Sequence, residues 1–276
     1  MGLLRLPQPY DFELSTQRFR SYGPDLANLW HEGCLHRVVN GRNVRIEATP
    51  GGVEVQPLDA ETEPVVRRLL GLDYDLGAFR ERAADDPVLA PIVTGLAGLR
   101  PTLWVDPFEA IVDCITAQQV SLWAAFAIRR RLNERFGVRA GPACAFPTAE
   151  RLAAASDEEI VALGFTRRKA EYVIALARSG LDLEALGSLP DSEVKAVLCA
   201  QRGLGEWTAD WFLARYLARP NVWPAGDLSL RKAVALFYPE LGNVRAAGER
   251  FAPFQTLTAQ FLLAALANPT KGTARS

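Results

Sequence analysis

Three sequence features could do chemistry. In Gln201-Arg202-Gly203-Leu204-Gly205-Glu206-Trp207-Thr208-Ala209, two helix patterns meet across a turn with glycines two apart. Gly205 stands where the second helix's first unpaired N–H groups begin. Such a turn presents main-chain amides at the positive end of a helix, where they can cradle a phosphate without any lysine. Gly-x-Gly alone says little, because many tight turns between helices use glycine for left-handed geometry. Trp207 and Trp211 are i and i+4 and share one helix face. They can stack on an electron-poor ring, with a cation–π gain of about 1–2 kcal/mol once desolvated, or they can be core. Asp227, in Ala225-Gly226-Asp227-Leu228-Ser229, precedes another helix pattern; locally it is an N-cap whose carboxylate the helix start holds rigidly.

The elements that must position these groups are legible by period. Between residues 34 and 58, Leu35, Val38, Val44, Ile46, Val53 and Val55 alternate with polar residues, broken at Asn40-Gly41 and Pro50-Gly51-Gly52, which are hairpin signals. Helical spacing over 64–79 and 86–99 completes the pattern, so residues 1–99 are expected to form an α+β domain on an antiparallel sheet. From Arg100 a succession of capped helices follows. Asp106-Pro107 opens one, Ser121 caps the next and Gly137 closes it. Ser156-Asp157-Glu158-Glu159 is a capping box, Gly164 ends that helix, and Thr166 begins another that runs to Gly180. Further helices are expected over 191–200, 206–218, 228–237, 244–251 and 254–267, with no strand pattern between them. Residues 100–276 therefore predict an all-α bundle, with a frayed tail over 269–276.

Composition narrows the classes. The chain has 276 residues, 49% of them hydrophobic, enough for a sizeable core without metal or disulfides. No run of eighteen apolar residues occurs and Arg5, Pro7 and Pro9 interrupt the start, so neither a membrane helix nor a signal peptide is expected, and the protein is expected to be cytoplasmic. Cys34, Cys114, Cys144 and Cys199 lie far apart with no CxxC pair, which argues against zinc, iron–sulfur or disulfide frameworks; all four are expected to be buried. No cofactor is implied. The formal net charge of −1 hides an asymmetry: up to residue 99 there are 10 Lys+Arg against 14 Asp+Glu, and from residue 100 there are 21 against 18. The surplus of three is modest and compatible with ordinary solvated helix faces.

The hairpin segment resembles the helix-hairpin-helix signature of a DNA glycosylase superfamily, Leu-Pro-Gly-Ile-Gly-x-x-Thr-Ala. Gly203, Leu204, Gly205, Thr208 and Ala209 match; Arg202 stands where proline is common, loosening the turn and offering a cation to a phosphate. That family places an aspartate at a helix start roughly twenty residues later, where this chain has Asp227. The resemblance extends to the AlkA-type 3-methyladenine-DNA glycosylases through Pro9-Tyr10-Asp11, Asp106-Pro107-Phe108-Glu109-Ala110-Ile111, Ala117-Gln118-Gln119-Val120-Ser121, Phe146-Pro147-Thr148, Glu206-Trp207-Thr208-Ala209-Asp210-Trp211-Phe212 and Glu249-Arg250-Phe251. It implies the α+β domain followed by a helix-hairpin-helix bundle, acting as a monomer on double-stranded damaged DNA. Members that also nick the strand carry a Schiff-base lysine where this chain has Trp207, and Lys195 and Lys232 do not occupy that place, so a monofunctional hydrolase is implied.

The same resemblance assigns Asp227 as the catalytic carboxylate, which stabilises the sugar's developing positive charge and orients or deprotonates water. It assigns Trp207, Trp211 and Phe254 to the base pocket, and Arg202, Gly203, Leu204, Gly205 and Thr208 to the DNA backbone. Gln119 becomes the wedge that fills the gap left by an extruded base. A monovalent cation is implied on the carbonyls of Cys199, Gln201 and Gly203. Arg129, Arg130, Arg131, Arg167, Arg168 and Lys169 could touch phosphates, and His31 and His36 have no assigned role. Two alternatives stay open: a glycosylase for oxidised or mismatched bases on the same fold, and a non-catalytic DNA-binding protein in which Asp227 is only a cap.

Overall fold

Asn40 and Gly41 both take positive φ (48° and 74°), a turn whose twist suits a two-residue hairpin. In the computed structural model, which describes residues 2–269, that turn joins two strands of an antiparallel sheet. The strands are β1 (Gly2–Arg5), β2 (Asn28–His31), β3 (Cys34–Val39), β4 (Arg42–Thr49) and β5 (Gly52–Gln56), in the order β1-β5-β4-β3-β2. Register is set by alternation: Leu35 pairs with Ile46 and Ile46 with Val55, and all three are fully buried. Helices α1 (Phe12–Thr16) and α2 (Thr62–Leu69) cover this face with Phe12, Val66 and Leu69. The helix expected over 64–79 is instead two, α2 and α3 (Leu76–Ala83), because Gly71 between them has φ +70° and packs its Cα on the Pro101 carbonyl.

Beyond α4 (Leu89–Gly95) come α5 (Pro107–Ala117) and α6 (Leu122–Phe136), opened by the expected caps: Asp106 accepts from Glu109 N at 2.7 Å and Ser121 from Ala124 N at 3.2 Å. A two-stranded hairpin, β6 (Val138–Ala140) and β7 (Ala143–Ala145), then interrupts the helices. Three-residue strands are too short for a period to show. β7 anchors on the first sheet's side of the molecule, with Cys144 N donating to Leu26 O at 2.8 Å. Next are α7 (Ala149–Ala153), α8 (Asp157–Ala162) with the predicted capping box at Ser156, α9 (Arg167–Arg178), α10 (Asp191–Cys199), α11 (Glu206–Arg215), α12 (Leu228–Phe237), α13 (Val244–Arg250) and α14 (Gln255–Ala267). Helix α11 stops three residues before the expected 218, since Ala218 turns left-handed (φ 54°) ahead of Pro220. The tail expected beyond 269 lies outside the described residues.

Two helical cores exist besides the sheet's own. One gathers α5 to α11 around Ile111, Ile115, Leu132, Val173 and Leu213. The other packs Phe79, Ile92 and Leu96 of the α3–α4 region against Leu230, Val234 and Phe261 of α12 and α14. Thus α3 and α4, which precede residue 99, share a core with the C-terminal helices and not with the sheet. No helix among the described residues is long and apolar enough to cross a membrane.

A buried ion network locks the sheet to the helices. Arg37 on β3 grips Glu109 of α5 bidentately, at 2.6 and 3.1 Å, and Glu109 also takes Arg129 of α6. Arg129 in turn pairs with Asp25 (3.2 Å) and Asp113 (2.8 Å). Each charge alone would cost several kcal/mol to bury; mutual pairing offsets that cost and fixes the geometry.

Candidate active site

The hairpin forms as its residue types demand. Gly203 has φ +85°, and a Cβ there would sit 2.2 Å from the Tyr172 ring, so only glycine fits. Gly205 begins α11 with no side-chain cap and with open space around it, so the first-turn amides of α11 have no capping side chain and remain accessible. Gln118, at the end of α5, donates Nε2 to the Gly203 carbonyl at 3.0 Å, bracing the turn from the other helix. The side chains of Leu204 and Thr208 are buried, so these two positions can offer a DNA backbone only main-chain atoms. Arg202 is exposed but ion-paired with Glu171 of α9. Of the carbonyls considered for a cation, Gly203 O accepts from Gln118 and Gln201 O from Leu204 N at 3.2 Å. Cys199 is exposed, not buried, because it ends α10 beside the turn.

Asp227 is the N-cap of α12 and something more. Its Oδ1 accepts from Ser229 N (2.9 Å) and Leu230 N (3.0 Å), while Oδ2 accepts from Trp207 Nε1 (2.9 Å) and Trp211 Nε1 (3.1 Å). Four N–H groups thus fill the carboxylate's roughly four lone-pair directions and fix its plane. The residue is half-buried and opens on a cleft of about 690 Å³, within the range of small-ligand pockets. Trp207 and Trp211 line the same cleft, so the two indoles and the carboxylate are brought together.

Phe254 is not there. It caps α14 with its ring 5.9 Å from Phe79, inside the core formed with α3, and α14 turns Gln260, Leu263 and Ala264 to the cleft instead. The cleft is also lined by segments that no local pattern marked: Arg18 and Tyr22 after α1, and Trp104 before α5. Asp113 orients Trp104 by accepting its Nε1–H at 2.9 Å. Burial pushes the Asp113 carboxyl up to about 7 and the Arg18 guanidinium down to about 10, the second helped by the nearby charge of Arg129.

Gln119 lies at the exposed junction of α5 and α6 with φ 54°. It is not alone: Val120, Leu122 and Trp123 are 38%, 46% and 63% exposed, so the tip is apolar around a polar residue. Of the basic residues considered for phosphates, Arg129 and Lys169 are withdrawn into the interior, the first in the ion network and the second donating Nζ to Thr116 O at 2.9 Å. Arg131 donates Nε to Leu163 O, whereas Arg130, Arg167 and Arg168 remain exposed.

A glycine turn between two helices thus stands beside a carboxylate-capped helix and an aromatic cleft, on a helical bundle fused to an antiparallel sheet. Residues 112–246 match the HhH-GPD superfamily of base excision DNA repair proteins. The chain is 32% identical over 173 residues to the DNA-3-methyladenine glycosylase of Bacillus subtilis, covering 60% of this chain and 57% of that protein. To DNA-3-methyladenine glycosylase 1 of Schizosaccharomyces pombe it is 30% identical over 167 residues, 57% of this chain and 71% of the relative. The chain thus spans little more than half of the first relative. The solved 3-methyladenine DNA-glycosylase of Archaeoglobus fulgidus superposes with a TM-score of 0.85 at 27% identity, over 97% of this chain and 99% of that one. The chain belongs to the HhH-GPD superfamily of base excision DNA repair proteins, with AlkA-type relatives.

Proposed function

We propose that this protein is a monofunctional DNA glycosylase that hydrolyses the bond between an alkylated base and its sugar in double-stranded DNA, working as a cytoplasmic monomer. The observation that carries this is Asp227, held in one plane by two backbone and two indole N–H groups at the edge of a cleft large enough for a nucleobase. The backbone amides of the hairpin and α11 hold a phosphate, the tip around Gln119 enters the duplex, and the extruded base stacks on the indoles. Breaking the C1′–N bond sends its electron pair to the base, which leaves more readily when alkylation has made it cationic. Water then bonds C1′ and loses its proton to solvent.

Because four donors already occupy the Asp227 carboxylate, taking a proton from water requires it to give up an indole bond. Its principal contribution is therefore its charge, aimed at the oxocarbenium-like sugar. At about 4 Å and an effective dielectric near 20 that attraction is about 4 kcal/mol, or roughly a thousandfold in rate. No lysine occupies the Trp207 position, so no covalent adduct forms with the sugar. The test is base release, identified by mass spectrometry, from duplex DNA treated with a methylating agent, together with borohydride trapping. Release of 3-methyladenine without a trapped adduct is expected. A duplex that is bound with no base released from any lesion sinks the enzymatic reading, and a trapped adduct sinks the monofunctional one.

A further inference from the structure

Three guanidinium groups line the cleft. Arg129 is ion-paired with Asp25, Glu109 and Asp113, and Arg215 donates to the Thr102 carbonyl at 2.9 Å. Arg18 has neither a hydrogen bond nor an ion pair among the described residues. The turn over Gln17–Phe19 presents it, and Phe19 pins that turn into the sheet's core. Its Cζ stands 5.7 Å from the Trp104 ring, and that ring is held in place by Asp113. The carboxylates nearest in charge, Asp113 and Asp25, are committed to Arg129.

The Arg18 side chain is half-buried, and its five N–H donors lie in a rigid fork made for in-plane acceptors. The wall it stands on faces the cleft into which Trp207, Trp211 and Asp227 open. A flat ring stacked in that cleft meets Asp227 on its sugar side and Arg18 at another edge. A second anion is a poor occupant of a cleft that already contains the Asp227 charge, whereas a base carbonyl offers lone pairs in the ring plane. The same cation repels a base that is itself positively charged.

Resting on the glycosylase reading above, we propose that Arg18 is the specificity-determining residue of this pocket: it donates to a carbonyl oxygen of the extruded base, so the site favours 6-oxopurines over cationic 6-aminopurines. A purine with O6 beside N7 can take both prongs of the fork. The sheet part of the chain thereby acquires a function, since it supplies the residue that reads the base.

The test uses R18M, which keeps an unbranched stem against the Trp104 and Phe19 rings without the charge. Single-turnover excision is measured on duplexes carrying hypoxanthine, a neutral 6-oxopurine with a free N7, or 3-methyladenine. R18M is expected to lower the ratio of hypoxanthine excision to 3-methyladenine excision at least tenfold. A ratio within threefold of the parent protein overturns the proposal. Quenching of tryptophan fluorescence by free hypoxanthine and free adenine gives an independent measure: the parent protein binds the oxo base more tightly and R18M loses that preference. If the parent protein releases neither base, the glycosylase reading fails, yet the quenching comparison still decides the role of Arg18; equal quenching by both bases in the parent protein refutes it.

Discussion

Replacing Asp227 by Asn exchanges one oxygen for an NH2 group, and the structure says which contacts survive. The amide oxygen can keep Ser229 N and Leu230 N, and Asn is as good an N-cap as Asp, so the start of α12 holds. The NH2 group then faces Trp207 Nε1–H and Trp211 Nε1–H, donor against donors, and both of those bonds are lost. Hydrogen bonds to a charged group contribute about 1.5–3 kcal/mol each, and indoles that can turn toward an open cleft recover part of this, so a stability loss of about 1–3 kcal/mol is expected. A domain stable by roughly 5–15 kcal/mol stays folded through such a loss. The kinetic loss is larger, because about 4 kcal/mol of charge stabilisation goes with the carboxylate, roughly a thousandfold in rate. With protein in excess over a methylated duplex at 25 °C, the single-turnover rate of 3-methyladenine release should fall by that order. Affinity for the same duplex, read by fluorescence anisotropy, should stay within a few-fold. A rate within tenfold of the parent protein, in a variant whose circular dichroism shows it folded, would refute the assignment; a loss of affinity as large as the loss of rate would move Asp227 from chemistry to binding.

Gly203→Ala forces a left-handed alanine whose Cβ meets the Tyr172 ring, a strain of about 1–3 kcal/mol at the turn; duplex affinity should drop at least tenfold, and an unchanged anisotropy titration would exclude the hairpin from the DNA interface. Glu109→Ala leaves Arg37 and Arg129 without their shared partner and should destabilise the fold by about 3–5 kcal/mol in urea titration, whereas a loss below about 1 kcal/mol would show the network contributes little. The Asp113 carboxyl, raised by burial to about 7, binds its proton more tightly folded than unfolded, where about 3.9 is usual. Its effect on stability is therefore most favourable below about pH 4, declines as pH rises through 7, and is flat above. Asp113→Asn should remove that decline, so unfolding free energies at pH 5 and pH 8 should differ less than in the parent protein; an unaltered difference would contradict it.

What the sequence by itself determined is whatever depends on residues three or four apart. The caps at Asp106, Ser121, Ser156 and Thr166 form as written, because an N-cap bonds an amide three positions on. Asn40-Gly41 fixes the β3–β4 register through its own backbone. Gly203 takes the left-handed conformation that the turn needs, and Asp227 caps α12 through amides two and three positions on. Tertiary structure alone decided which side chains meet across long stretches of chain. Phe254 went to Phe79 and not to the cleft because α14 presents a different face there. Arg129, one of three consecutive arginines, is the one turned inward, since only its position on α6 faces Glu109 and Asp113. Arg18 reaches the cleft because a sheet-bound turn happens to end there, with Trp104 held at its side by Asp113. Local hydrogen bonds are encoded in neighbouring residues, whereas the partner of a buried charge or ring is set by the packing of whole elements.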